Sequence, residues 1–179
     1  MTSEATVPTA SNCCVLLVCG APGSGKSTLA RFLHTEFEER SINSHILSFD
    51  DYEVPSTLWD SETFTQSRQV SLLALENLLH EQQYRVLIVD DIMFYCGMRK
   101  KVYQLARQHG AGYAVVHVDV PIAVAQARNT TRSEDTRVHP KVRYPIYYCH
   151  NLSSYHVYHI TMTIPATSCH IVIITLKPA

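Results

Sequence analysis

Residues 20–27 read Gly-Ala-Pro-Gly-Ser-Gly-Lys-Ser, the spacing G-x-x-x-x-G-K-[ST] in which small residues let successive backbone N–H groups converge on phosphate oxygens. Three of the six glycines of the chain, Gly20, Gly23 and Gly25, lie inside this short stretch. In such a loop Lys26 reaches the β and γ phosphates, Ser27 offers its hydroxyl to Mg²⁺, and Thr28 adds a phosphate contact. Gly20, Ala21, Pro22, Gly23, Ser24, Gly25, Lys26, Ser27 and Thr28 are therefore the candidate binding residues for ATP. Two acidic pairs, Asp50-Asp51 and Asp90-Asp91, are the next candidates. One carboxylate must help hold hydrated Mg²⁺, and a phosphoryl transferase needs another near the acceptor hydroxyl as base or orienter. Which member of each pair does either job is open at this level. Arg128 and Arg132, spaced i, i+4, put two guanidinium groups on one side of a helix or its frayed end, where they can offset charge on a transferred phosphoryl group.

These residues need a scaffold that brings them to one crevice. Cys13–Cys19 is an uninterrupted apolar run of strand length, as expected for a strand buried on both faces of a parallel sheet. The glycine-rich turn follows it, and Leu29, Phe32, Leu33 and Phe37 then recur at helical spacing between Lys26 and Arg40. His45–Phe49 predicts a second strand that stops at the first acidic pair, and 53–65, with Pro55 and several Ser and Thr, predicts a loop. Leu72, Leu75 and Leu79 predict a helix over 66–83, and Val86–Val89 a third strand that stops at the second acidic pair. A helix ending at Gly110, a strand over 113–120 and a helix entered at Pro121 complete the pattern. Four strands alternating with helices imply an α/β fold of the phosphate-loop nucleoside-triphosphatase and kinase type, a parallel sheet covered by helices on both faces. In such sheets ligands sit beyond the carboxyl ends of the strands, which is where the loop and both acidic pairs fall.

Composition divides the chain near residue 143. Residues 1–142 hold 13 basic and all 16 acidic side chains, a formal −3, whereas 143–179 hold only Arg143 and Lys177, a formal +2, with five of the ten tyrosines. The expected organisation is a catalytic domain over 13–142 followed by a divergent tail over 143–179. That tail contains two uncharged β-prone runs, Ile160–Ile164 and His170–Leu176. It is expected to be weakly ordered or prone to aggregation, the alternative being that one of its strands pairs with the sheet edge and completes it. No global positive field draws the molecule to nucleic acid, so any RNA contact must use a local patch. No apolar run approaches membrane-helix length and the N-terminus lacks a signal pattern, so the expectation is a cytoplasmic protein without membrane contact. The six cysteines form no C-x-x-C pair and read as small core residues, and the Cys149-His150 and Cys169-His170 spacings match no zinc pattern.

Together, GAPGSGKST, the FDDY at 49–52, VDDIMFYCGMRKKVYQLAR at 89–107 and DVPIAVAQARNTTR at 119–132 resemble the L-seryl-tRNA(Sec) kinase family, over about residues 13 to 142. The Elongator-associated proteins with a phosphate loop have a similar segment after the third strand and are the nearest rival. The first resemblance implies ATP- and Mg²⁺-dependent phosphorylation of the seryl hydroxyl of Ser-tRNA(Sec), a step of selenocysteine biosynthesis, with an aminoacylated tRNA as partner. The rival implies a tRNA-dependent ATPase that regulates a tRNA-modifying complex, and an inactive nucleotide-binding fragment is a third outcome. By position, Lys26 and Ser27 match the kinase family's phosphate and Mg²⁺ residues, Asp50 its catalytic acid, and Arg128 with Arg132 its R-x-x-x-R lid. Asp90 joins Ser27 and Asp50 as a metal candidate. The family's helical tRNA-gripping region has no counterpart after His139–Val142, so the expected activity of this chain is impaired.

Overall fold

The computed structural model describes residues 12–52, 61–93, 95–133, 137–138, 155–164 and 167–176. Strand β1 (Cys14–Gly20) runs into the phosphate loop and helix α1 (Lys26–Glu39), and β2 (Ser44–Ser48) ends in a 3₁₀ turn (Phe49–Tyr52). Helix α2 (Ser61–Glu81), β3 (Val86–Asp90), α3 (Cys96–Gln108), β4 (Gly112–Asp119) and α4 (Ile122–Thr130) follow. Strands β5 (Tyr155–Ile164) and β6 (Thr167–Leu176) close the series. The sheet order is β2-β3-β1-β4-β6-β5, the first four strands parallel and the last two antiparallel.

Alternation along each strand sends side chains to two separate cores. Val15, Leu17, Leu47, Leu87, Val89 and Val115 pack with Leu75 and Leu79 of α2 and Val102 and Ala106 of α3. Val18, Ile88, Val116 and Val118 pack on the other face with Leu29 and Ala30 of α1 and Ala125 of α4. This two-sided burial is why the parallel strands read as continuous apolar runs rather than alternating ones. Each fully buried leucine, such as Leu17 or Leu75, contributes about 1.5–3 kcal/mol relative to exposure.

Three expectations change. Helix α2 begins at Ser61, so 61–65 is helical rather than loop. Ser61 and Thr63, two of the residues that suggested a loop, lie in the first turn of α2, where such residue types suit helix entry. Cys96 is exposed at the start of α3, unlike buried Cys13 and Cys19. The tail takes the alternative described for it, since β6 pairs antiparallel with β4 from Ala114↔Thr175 to Asp119↔His170 and β5 pairs with β6. Residues 53–60 of the expected loop, Cys149-His150 and the 139–142 junction lie outside the described residues.

Strands β1 and β3, which end at the phosphate loop and the second acidic pair, do not pair with the hairpin, but β4 loses a partner without it. A chain shortened to residues 1–142 is expected to bind a fluorescent ATP analogue within about twofold of the parent. It should also melt at lower temperature and self-associate in size-exclusion chromatography, because the β4 edge is uncovered. Unchanged melting and elution would show that the hairpin adds nothing to the sheet.

Candidate active site

The loop leaves β1 through Gly20 and closes with Gly25, whose φ of +102° places it in the left-handed region immediately before α1. Gly23 is the tightest point. Its φ is +81°, and a Cβ there would lie 2.2 Å from the Ala125 carbonyl oxygen and 3.2 Å from the Asn129 nitrogen of α4. A Cβ on Gly20 would lie 2.5 Å from the Val118 carbonyl oxygen on β4. The loop is thus wedged between α4 and the end of β4, where Gly20 and Gly23 are required by close approach as well as by dihedral angle. Ser24 N–H donates to the Ala21 carbonyl at 3.0 Å, while the Ser24 hydroxyl is buried with no hydrogen-bond partner among the described residues. Pro22 is buried, and Thr28 is exposed on the first turn of α1. Lys26 Nζ donates to the Ala21 carbonyl at 3.3 Å. Burial pushes its ammonium below the usual lysine range, Asp90, Asp50 and Asp91 pull it back up, and Arg132 pushes it down.

The acidic pairs resolve into unlike members. Asp90 is 4% exposed and accepts a hydrogen bond from the Ser27 hydroxyl, while its Oδ1 is buried without a partner among the described residues. Burial raises its carboxyl above the usual range, against the lowering by Ser27 and Lys26. Asp91 is equally buried but occupied: its Oδ2 accepts Arg68 Nη2 at 2.6 Å and the Met93 N–H at 3.3 Å. Asp50 sits exposed at the rim on the 3₁₀ turn beside Asp51, also exposed. Its carboxyl is raised by its partly desolvated surroundings and by Asp91, and lowered by Lys26.

No group of three or more His, Cys, Asp and Glu that could hold a metal ion occurs among the described residues. A cation between Ser27 and Asp90 would therefore take further ligands from phosphate and water, the pattern that suits Mg²⁺ rather than a protein cage. The orphaned Asp90 oxygen, the Ser27 hydroxyl and the two glycine cradles fit Mg²⁺ with a nucleoside triphosphate. On the far side, Arg132 lies just beyond α4, and its charge acts on both Lys26 and Asp50. Arg128 is half-buried on α4, its Nη1 without a hydrogen-bond partner among the described residues.

Two residues at this site escaped the sequence argument. Arg68 lies on α2 and binds Asp91 from across the crevice. Asn129, 5% exposed, donates through Nδ2 to the Val138 carbonyl at 2.8 Å and accepts the Val138 N–H at 3.2 Å, so its amide pins the returning chain beside the Arg128–Arg132 segment. Pattern offers no warning of either, since both lie in ordinary helical sequence. No helix among the described residues is long and apolar enough to cross a membrane.

Gly25→Ala is expected to cost about 1–2 kcal/mol of folding stability, the left-handed strain alone, because nothing lies near its Cβ. Gly23→Ala adds a collision with the α4 backbone and should cost distinctly more; equal losses in denaturant titration would argue against the tight contact. For Asp90 the raised carboxyl means the folded state holds its proton more tightly than the unfolded chain. Folding stability therefore falls as pH rises from about 4 through the raised value. Asp90→Asn should raise the melting temperature of the ligand-free protein at pH 7 by roughly 2–4 °C, the shift about 1 kcal/mol gives at this size. The gain should shrink toward pH 4, and added Mg²⁺ should no longer tighten ATP binding. A lower melting temperature at pH 7 would contradict this account of Asp90.

The model of the family described as chromatin associated protein KTI12 matches residues 14–156. Two curated relatives are named L-seryl-tRNA(Sec) kinase. The one from Methanococcus maripaludis is 25% identical over 124 residues, covering 67% of this chain and 46% of its own length. The one from Mus musculus is 26% identical over 179 residues, covering 68% and 49%. The chain spans about half the length of the curated relatives it matches. Among solved structures, Chaetomium thermophilum Kti12 in complex with ADP-AlF3 superposes with a TM-score of 0.55 at 22% identity, covering 71% of this chain and 74% of that one. Mycobacterium tuberculosis APS kinase CysC in complex with AMPPNP and APS gives 0.55 at 18%, covering 69% and 70%. Identities this low speak for the fold alone, a phosphate-loop kinase fold. A family match running from the first strand past Arg128 and Arg132 carries the conclusion that this chain belongs to the KTI12 family, with L-seryl-tRNA(Sec) kinases among its distant relatives.

Proposed function

We propose that the chain binds ATP with Mg²⁺ and transfers the γ-phosphoryl group to the seryl hydroxyl of Ser-tRNA(Sec), giving phosphoseryl-tRNA(Sec) for selenocysteine biosynthesis. The observation that carries this is the separation of carboxylates: Asp90 is buried against Ser27, whereas Asp50 stands at the open rim within the field of Lys26 and Arg132. A hydrolase needs only the first of these, while transfer to an alcohol uses a second carboxylate on the acceptor side. The names of the two curated relatives supply the acceptor.

In this reading backbone N–H groups of Gly20, Ala21, Gly23 and Gly25, with Lys26 and Thr28, hold the phosphates, while the Ser24 N–H bond to Ala21 and buried Pro22 stiffen the loop. Ser27 and Asp90 would hold Mg²⁺, with Asp50 as a further candidate ligand, and the bound ion would neutralise charge on the β and γ oxygens. Asp50 accepts the proton of the attacking hydroxyl or orients it. Arg132 and Arg128 offset charge at the transferred group. Residues 13–142 form the kinase unit, and 143–179, with Arg143 and Lys177 as its only Lys or Arg, offers little grip on a tRNA backbone. Transfer by this chain is therefore slow. A second reading, a tRNA-stimulated ATPase that regulates the Elongator complex in the cytoplasm, draws support from the KTI12 match.

Incubation with γ-labelled ATP, Mg²⁺ and Ser-tRNA(Sec), beside uncharged tRNA(Sec) and Ser-tRNA(Ser), separates the two. Label in the aminoacyl group, at a low rate and lost in Asp50→Asn by tenfold or more with ATP affinity nearly kept, is the expected result. Free phosphate released in response to tRNA, with no labelled aminoacyl product, would replace the kinase with the ATPase. Binding without either product would leave only a nucleotide-binding module.

A further inference from the structure

Arg68 stands outside the phosphate loop and outside every motif above, yet it touches three parts of the crevice. Its guanidinium lies 5.3 Å from the centre of the Phe49 ring and 5.4 Å from that of Phe64. Nη2 reaches Asp91 Oδ2 at 2.6 Å and Met93 Sδ at 3.0 Å. Phe49 directly precedes Asp50, and Asp91 directly follows Asp90. We propose that Arg68 is a positioning residue that gives the two aspartates after β3 separate jobs, fixing Asp91 as a post so that Asp90 alone is left for the Mg²⁺ that accompanies the nucleotide.

The geometry favours this over a simple surface ion pair. The side chains of Arg68 and Asp91 are 16% and 3% exposed, so the contact is sheltered and geometrically fixed. The same Asp91 oxygen also accepts the Met93 N–H, and Met93 is 1% exposed with φ +42°, a left-handed turn that a non-glycine residue adopts only when held. Arg99 Nη1 holds the Met93 carbonyl from the other side at 2.5 Å. The turn after Asp90 is thus clamped by two arginines from α2 and α3, and Asp90 keeps one oxygen without a partner among the described residues. Without Arg68, Asp91 would be a buried carboxylate with no counter-charge, and the turn that carries Asp90 would lose its post. Lysine could supply the charge but not the planar fork or the ring contacts.

The proposal rests on the nucleotide reading, and its test reads binding rather than turnover. The full chain and its Arg68→Lys, Arg68→Met and Arg68→Met/Asp91→Leu variants are titrated with a fluorescent ATP analogue with and without Mg²⁺, and their melting temperatures are recorded. In the parent, Mg²⁺ tightens binding. Arg68→Lys and Arg68→Met should keep metal-free affinity within about twofold while the Mg²⁺-dependent gain falls by tenfold or more, the usual effect of removing a metal site's outer support. The double variant should recover melting temperature, since its buried charge is gone, without recovering the Mg²⁺ gain. Recovery of both together, or folded single variants with the gain intact, overturns the role assigned to Arg68. Should Arg68→Met fail to fold, the lysine and double variants decide. No nucleotide binding by the parent would overturn the nucleotide reading and this inference with it.

Discussion

Negative charge crowded at one end of a hydrophobic sheet is the constraint around which the rest is arranged. Strand β3 must be apolar to lie between two cores, but its carboxyl end delivers Asp90 and Asp91 side by side, with Asp50 arriving from the neighbouring strand. Lys26, Arg132 and Arg68 each answer part of that charge from a different element. A buried carboxylate is tolerated when paired, as Asp91 is, or when it serves a cation, as the orphaned oxygen of Asp90 suggests. The carboxyls of Asp50 and Asp90 are raised first by burial, and the neighbouring Asp91 adds to the rise.

Position relative to the phosphate loop depends equally on shape. Gly23 lies so close to the α4 backbone that a side chain there would collide with it, and Asn129 on that helix pins Val138 beyond Arg128 and Arg132. The Arg128–Arg132 segment is therefore tied to the phosphate loop on one side by the approach of Gly23 to the α4 backbone and to Val138 on the other by the Asn129 side-chain amide. Arg132, whose charge acts on Lys26, lies between these two anchors.

Much of this was legible beforehand. Runs buried on both faces announced β1 and β3, glycine spacing announced the loop, and acidic residues at strand ends announced the crevice, because each is a local pattern with a local cause. The start of α2 was missed because Ser and Thr suit loops and helix entries alike. The unequal fates of Asp90 and Asp91 were hidden because they depend on Arg68, which is distant in sequence and carries no motif. The tail was hard for the opposite reason: its uncharged β-prone runs fit an unpaired segment or an edge strand, and only the presence of a free β4 edge decides between them.

One row of the sheet joins the two ends of this account. Gly20 is in register with Val118 on β4, and Val118 with Ile171 on β6, so the first glycine of the loop and the tail strand flank the same residue. Along that row β6 meets β4 through main-chain donors and acceptors, which any segment able to lie extended can supply. Sequence could drift or be exchanged wholesale there while the floor beneath the phosphate loop stays level, provided that whatever replaces it can still lie down as a strand.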